Sequence, residues 1–295
     1  MSLRLPAYAK VNLTLEVLSK RDDGYHEIAS VLQTISLADT LDFEVGGELE
    51  LRCNVPDLES ADNLVLKAAR LLQNQSGHQQ GATITLVKRI PVASGLGSGA
   101  TDAAATLVGL NQLWALGLSA PALGDLAARL GSDVAFFLCG GTALARGRGE
   151  KVTPLPAVAR RYMVLLSPQL EPVPNKTARL YSQLRESHFS RGQHTERLVD
   201  RLEGGGDFRT GMLHNVFEQV AFGFFPGLSD YRGQLLEAGV RTVHLAGSGP
   251  CLFAPVGDEV EGKGVLNRLA GRGLEAFLVH TVEAPLPAPH RDVQC

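Results

Sequence analysis

No apolar run in this 295-residue chain approaches the ~20 residues that a membrane-crossing helix needs. The opening Met1-Ser2-Leu3-Arg4-Leu5-Pro6 has no apolar signal core either. These two absences lead to the expectation of a cytoplasmic protein with no membrane partner. Cysteine is scarce: Cys53, Cys139, Cys251 and Cys295 stand far apart, without C-x-x-C or Cys/His spacing suited to zinc, and read as reduced thiols. Basic excess is missing too, with 28 Lys and Arg against 31 Asp and Glu and a formal net charge of −3. That balance argues against a nucleic-acid partner. No Walker A loop occurs, and no Gly-rich turn has the spacing and following acidic residue of a dinucleotide fingerprint. Internal repeats and low-complexity runs are absent as well.

Glycine, by contrast, is plentiful, at 32 residues, above the usual share of about 7%. The chain is long enough for two domains and a sizeable core. Its organising stretch is Pro91-Val92-Ala93-Ser94-Gly95-Leu96-Gly97-Ser98-Gly99-Ala100-Thr101-Asp102, where a strand over 82–87 feeds glycines that open directly into an amphipathic helix. Glycines let an anion approach the main chain, and the first turn of a helix supplies unpaired N–H groups and the positive end of its dipole. Ala103, Leu107, Leu110 and Trp114 recur at spacings of four, three and four, which anchors the helix by one buried face. Taken alone, a G-x-G-x-G string fits a tight strand-to-helix turn about as well as a phosphate site.

In chain order, residues 3–18 read as one long or two broken strands. Their alternation puts Lys10, Asn12, Thr14 and Glu16 on one face. A polar turn follows to Tyr25, and the stretch from His26 to Leu37 fits neither period. Strands over 40–45 and 48–53 are joined by Gly46-Gly47 as a hairpin turn. A helix capped at Asp62 or Asn63 ends near Gly77, and another starts at Ser119 and runs to Leu130. Ser132 or Asp133 then opens a short apolar segment, and strands over 141–145 and 150–153 close this half. Pro154-Leu155-Pro156-Ala157 is the expected boundary. Beyond it come a strand (162–166), a Pro-rich loop, a helix near 175–184, a polar segment ending in Gly204-Gly205-Gly206, and helices over 210–221 and 227–237. The end reads strand (241–245), turn (Gly247-Ser248-Gly249), strand (251–255), helix (259–270) and strand (274–280). This split β-α-β-β-α-β order suggests a ferredoxin-like domain. Residues 285–295 read as a frayed tail, which leaves domains at 1–155 and 156–284.

Five strings carry a resemblance. P-x-x-x-G-L-G followed by small hydroxyl residues and Asp-Ala-Ala resembles the ATP loop of the GHMP kinases (galacto-, homoserine, mevalonate and phosphomevalonate kinases). Pro6-Ala7-Tyr8-Ala9-Lys10-Val11-Asn12-Leu13 with Asp23-Gly24-Tyr25-His26 resembles the first motif of a branch of that family with a cytidyl substrate. Gly131-Ser132-Asp133-Val134 and Leu245-Ala246-Gly247-Ser248-Gly249 resemble later family motifs, so the likeness runs over nearly the whole chain.

The resemblance implies an α+β, two-domain GHMP kinase fold: an N-terminal domain like the second domain of ribosomal protein S5, then a ferredoxin-like domain. It implies ATP and Mg²⁺, and transfer of the γ-phosphoryl to the 2-hydroxyl of a cytidyl diphospho derivative of methylerythritol, on the non-mevalonate route to isoprenoid precursors. Lys10 and Asp133 would be the catalytic pair. Residues 91–101 would hold ATP, Gly247, Ser248 and Gly249 would close over its phosphates, and Asn12, Tyr25, His26 and Tyr181 would hold the substrate, with Tyr25 and Tyr181 sandwiching the cytosine. The partners would be small molecules, with the chain a monomer or weak homodimer. Alone, Lys10 reads as a solvated strand residue, Asp133 as a helix N-cap, Gly247-Ser248-Gly249 as a hairpin turn and Tyr181 as an apolar-face helix residue. The chain departs from the family pattern at Ala100, Ala135 and Ala246; one hydroxyl is lost at Ala100 while Thr101 keeps the other, which leaves the Mg²⁺ contact open, with Thr101 as a candidate. The alternatives are another GHMP kinase acting on mevalonate or homoserine, and a non-catalytic RNA- or protein-binding module.

Overall fold

The computed structural model describes residues 2–283, so Cys295 and the expected tail over 285–295 lie outside the described residues. Two long antiparallel strands, β1 (Ser2–Lys20) and β2 (His26–Gly46), form the spine of the first sheet. Three bulges in their register, one between Asn12 and Thr14, twist the pair. β2 runs straight through the stretch that fitted neither period, because residues 28–35 are buried on both faces and therefore do not alternate. After β3 (Leu49–Cys53) comes α1 (Leu64–Ser76), capped by the Asn63 side chain on the Val65 N–H and ended at Gly77 in the left-handed region.

β4 (Gly81–Val87) corrects one expectation. β3 does not fold back on β2 as a hairpin; it lies parallel to β4, and β4 pairs antiparallel with β2, giving the order β3-β4-β2-β1. A parallel pair needs a crossover, and α1 supplies it. Helices α2 (Ser98–Leu113), α3 (Ala120–Leu130) and α4 (Val134–Cys139) join α1 on one face of the sheet, over a core that includes Phe43, Ile84, Leu107, Phe136 and Phe137. β5 (Thr142–Gly147) pairs with β2, and β6 (Lys151–Pro154) pairs with β5.

The second sheet contains β7 (Tyr162–Leu166) and three later strands, with five α-helices among them. α5 (Lys176–Tyr181) is shorter than expected, and the polar segment before the triple glycine is itself a helix, α6 (Gln193–Glu203). Of α6 only Thr195, Leu198 and Leu202 are buried, too few to announce it by periodicity. Its cap comes from far away: the Glu16 carboxylate on β1 accepts the Thr195 N–H at 2.7 Å and the His194 N–H at 3.3 Å, and the Ser190 hydroxyl at 2.8 Å. Burial pushes the Glu16 carboxyl up, but these hydrogen bonds outweigh it and hold the group below its ordinary value.

β8 (His214–Asn215) lies within the region expected to be a helix over 210–221; it adds to the first sheet parallel to β1 and splits that region into a short 3-10 turn at Thr210–Met212 and α7 (Glu218–Phe224). α8 (Leu228–Glu237), a short β9 (His244–Leu245), β10 (Leu252–Val256), α9 (Glu259–Ala270) and β11 (Ala276–His280) complete the chain in the expected order. The sheet order β11-β7-β10-β9, antiparallel throughout, is the ferredoxin-like arrangement. A third core, with Val11 and Leu13 of β1 against Met163, Leu165 and Phe253, joins the two sheets. Among the described residues no helix is long and apolar enough to cross a membrane, and Cys53 and Cys251 form no disulfide.

Candidate active site

Lys10 sits midway along β1, paired with Thr34, where both halves of the molecule meet. Its side chain is 5% exposed, and its ammonium donates to Asn12 Oδ1 at 2.9 Å. Asn12 is fixed in turn, because its Nδ2 donates to Ser30 Oγ at 2.8 Å and that hydroxyl donates to the Thr14 carbonyl. The alternation of β1 therefore does bring Lys10 and Asn12 to one face. Asp133 precedes α4 but makes no capping bond with it. Its Oδ2 lies 3.6 Å from Lys10 Nζ, and the side chain is 46% exposed. A buried ammonium thus faces a carboxylate that solvent, or a ligand, can reach.

The glycine loop packs directly behind Lys10, whose N–H donates to the Leu96 carbonyl at 3.0 Å. Gly95 and Gly97 have φ of +89° and +80°, and α2 starts immediately after Gly97 with its first amides lacking intrahelical acceptors. Ser94, Leu96, Ser98 and Thr101 are buried, whereas Val92, Ala93 and Gly99 are exposed and Pro91, Gly95, Gly97 and Ala100 are intermediate. Ser98 turns inward to accept a hydrogen bond from Lys88 Nζ at 2.6 Å. The loop accordingly offers main chain more than side chain.

From the other half of the molecule, the turn at Gly247-Ser248-Gly249 closes against this loop. The Cys251 N–H donates to the Ser94 carbonyl at 3.1 Å, and a Cβ placed on Gly95 would lie 2.0 Å from the Ala246 carbonyl oxygen. A Cβ on Gly247 would lie 3.0 Å from Lys10 Nζ. Asn215 holds the turn by donating to the Leu245 and Gly247 carbonyls at 2.9 and 2.8 Å. Thr177 Oγ1 and Ser248 Oγ are 3.1 Å apart.

Of Tyr25, His26 and Tyr181, the last two are in direct contact. The ring stacked on Tyr181 is that of His26, at 4.9 Å between centroids, while the exposed Tyr25 lies under the Arg148 guanidinium at 4.7 Å. Phe217 contacts Tyr181 edge-on. Burial first, and then the Asp133 carboxylate, push the Tyr181 phenol up, so it stays protonated. Burial and then Lys20 lower the His26 pKa, which favours the neutral imidazole. Sequence reading passed over Lys88, Arg148, Asn215 and Lys176; the only signal was the position of Lys88 three residues before Pro91 and of Lys176 beside Thr177.

A glycine-framed helix start, a lysine and carboxylate facing each other across it, and a closing turn from a ferredoxin-like half define a GHMP-type kinase. The model for the GHMP kinases N-terminal domain matches residues 63–141 and that for the GHMP kinases C-terminal domain matches residues 197–274; the chain belongs to this family. Within it the chain falls among the 4-diphosphocytidyl-2-C-methyl-D-erythritol kinases. The one from Dehalococcoides mccartyi is 44% identical over 280 residues, covering 95% of this chain and 98% of that relative, and the one from Gloeobacter violaceus is 40% identical over 290 residues, covering 96% and 95%. A crystal structure of 4-(cytidine 5'-diphospho)-2C-methyl-D-erythritol kinase superposes with a TM-score of 0.80 at 34% identity, covering 95% of this chain and 99% of that one. The homoserine kinase of Cytophaga hutchinsonii, at 20% identity and a TM-score of 0.72, shares the fold.

Proposed function

We propose that this kinase transfers the γ-phosphoryl of ATP to the 2-hydroxyl of 4-diphosphocytidyl-2-C-methyl-D-erythritol, on the non-mevalonate route to isoprenoid precursors. The observation that carries the mechanism is the buried Lys10 ammonium set between Asn12 Oδ1 and the accessible Asp133 carboxylate. Phosphoryl transfer asks little covalent work of the protein: it aligns the hydroxyl with the γ-phosphate and neutralises charge. Asp133 accepts the hydroxyl proton, while the Lys10 charge favours the developing alkoxide. The main chain of residues 91–101 and the start of α2 cradle the phosphates, and Gly247, Ser248 and Gly249 close over them. Residues 1–155 thus carry most of the binding of both substrates, and residues 156–284 close the site and add Tyr181 to the substrate slot, in a cytoplasmic enzyme acting as a monomer or weak homodimer.

Mg²⁺ fits this arrangement in one way only. Among the described residues no group of three or more His, Cys, Asp or Glu is arranged to hold a metal. In the first turn of α2, Lys88 already engages Ser98 and Asp102, whereas the Thr101 hydroxyl has no hydrogen-bond partner among the described residues. Mg²⁺ would arrive on the nucleotide phosphates, as is usual for this ion, with Thr101 as its hydroxyl contact, and would neutralise phosphate charge. The cytosine would be held by Tyr25, His26 and Tyr181, with Tyr25 reaching it from beneath Arg148.

ATP consumption measured in parallel with the cytidyl alcohol, mevalonate and homoserine tests the assignment. Turnover with the first alone is expected; equal turnover with either of the others would reject it. Within the substrate slot, Tyr25→Ala raises KM for the cytidyl alcohol by roughly 5- to 150-fold, the worth of one stacked base at about 1–3 kcal/mol, and leaves KM for ATP in place. An equal shift in both constants would show the slot to be misplaced. For the cradle, Gly95→Ala is the informative change. Its Cβ must displace the Ala246 carbonyl and the Gly249 N–H, and a misplacement of about 1 Å costs up to about 10²-fold in kcat/KM. Gly97 is a poorer probe, because a Cβ there would also drive into the Phe137 ring at 2.4 Å and disturb the core. Kinetics of Gly95→Ala beside a thermal melt check the point: because the Cβ meets main chain at a φ of +89°, a lower melting temperature is expected, together with a fall in kcat/KM for ATP that persists at temperatures where the variant is fully folded.

A further inference from the structure

A second lysine reaches the phosphate cradle from the ferredoxin-like half. Lys176, at the start of α5, donates from Nζ to the Ala93 carbonyl at 2.8 Å and to the Gly249 carbonyl. Those carbonyls belong to the two loops that face each other across the cradle, so one ammonium spans the closure. An ammonium has three N–H donors, and the third has no acceptor among the described residues.

The charge is also unmatched. Lys10 has Asp133, and Lys88 has Asp39 and Asp102, but no carboxylate among the described residues lies within ion-pair reach of Lys176. A partly buried cation held only by neutral carbonyls invites an anion. The backbone on both sides of the contact is held in an uncommon conformation, with φ of +54° at Ala93 and +51° at Asn175. Non-glycine residues keep such angles where the surroundings over-determine them, which is characteristic of ligand clamps.

We propose that Lys176 is a phosphate-binding residue, presenting its third N–H and its charge to phosphoryl oxygens brought between the glycine loop and the closing turn. This rests on the kinase reading above. The phosphate belongs either to the ATP triphosphate or to the diphosphate of the cytidyl alcohol, and the two differ in which kinetic constant responds. The electrostatics agree with an anion-seeking role: burial, and then the neighbouring Lys10 charge, lower Lys176 to about 8. Of the other groups near it, the Cys251 thiol is pushed up to about 12 by burial and stays neutral across the working range, and Asp133 pairs with Lys10.

The test compares wild type, Lys176→Met and Lys176→Arg by equilibrium titration with ATP and by steady-state kinetics with each substrate varied, from pH 6.5 to 9.5. Hydrogen bonds to charged groups are worth about 1.5–3 kcal/mol, or roughly 10- to 150-fold, and Lys176→Met is expected to weaken by that factor whichever substrate supplies the phosphate. A change in ATP affinity and in kcat/KM for ATP alone assigns the triphosphate; a change confined to the alcohol assigns its diphosphate. In wild type the affected constant falls above about pH 8 as the ammonium is lost. That fall is absent from Lys176→Met, and Lys176→Arg, charged throughout, restores much of the affinity without it. Unchanged constants in Lys176→Met overturn the proposal. So does a uniform loss that tracks a lowered melting temperature, which would make Lys176 a structural staple. The ATP titration needs no acceptor alcohol, so if the substrate assignment fails, the triphosphate arm is still read.

Discussion

Asp133→Asn is expected to lower kcat by about 10²- to 10⁴-fold, the usual worth of a positioned general base, with little change in KM for ATP. Asparagine keeps the shape of the side chain but accepts a proton poorly and cannot balance the Lys10 charge. The variant should fold normally, because Asp133 is half-exposed and does not cap α4. Lys10→Ala acts on the same step. Groups that act as a unit are strongly non-additive, so the double variant should be scarcely slower than the slower single one. Single-turnover measurements with saturating ATP isolate the chemical step; near-full turnover by Asp133→Asn would place the base elsewhere.

The proposed catalytic pair came into view for two different reasons. Lys10 and Asn12 share a face because strand side chains alternate, and no bulge falls between them; the first register shift after Ala9 comes beyond Asn12. Nothing in the spacing links either to Asp133, and only the motif resemblance joined them. The ferredoxin-like half was legible as an order of elements, since its strands and helices are short, regular and separated by turn residues. What failed to show had non-local causes. α6 is capped by Glu16 of β1, a residue remote in the chain. β3 lies beside β4 because α1 carries the chain across, while two glycines in a row looked locally like a hairpin. In the same way, Lys176 on a short polar helix looks solvated until the closing turn is placed next to it.

The base of the glycine loop is fixed by a buried ion cluster that no local pattern announces. Lys88, just after β4, directs its ammonium to Asp39 on β2, to Ser98 Oγ, and to Asp102 Oδ2 at 2.7 Å. Asp39 also accepts the Arg89 and Ile90 N–H groups, at 2.5 and 2.8 Å, so one carboxylate holds the main chain leading into Pro91. Both ends of the loop are thereby tied to one sheet strand. Lys88→Met is expected to cost about 3–5 kcal/mol of folding stability, because removing one partner leaves buried charge uncompensated. The cost depends on pH in a defined direction. Burial first, with Asp39 adding to it against the pull of Lys88, raises Asp102 from 3.8 to about 7. A carboxyl raised on folding favours the folded state most when protonated, and that contribution is lost as pH climbs through the raised value. Without Lys88 the Asp102 carboxyl rises further, so the deficit of the variant should be larger at pH 7.5 than at pH 5.5. Adding Asp102→Asn removes one of the stranded charges and should recover part of the loss. Urea unfolding of the single and double variants at the two pH values measures all of this; a deficit below about 1 kcal/mol that is flat with pH would mean that apolar packing, not the cluster, anchors the loop.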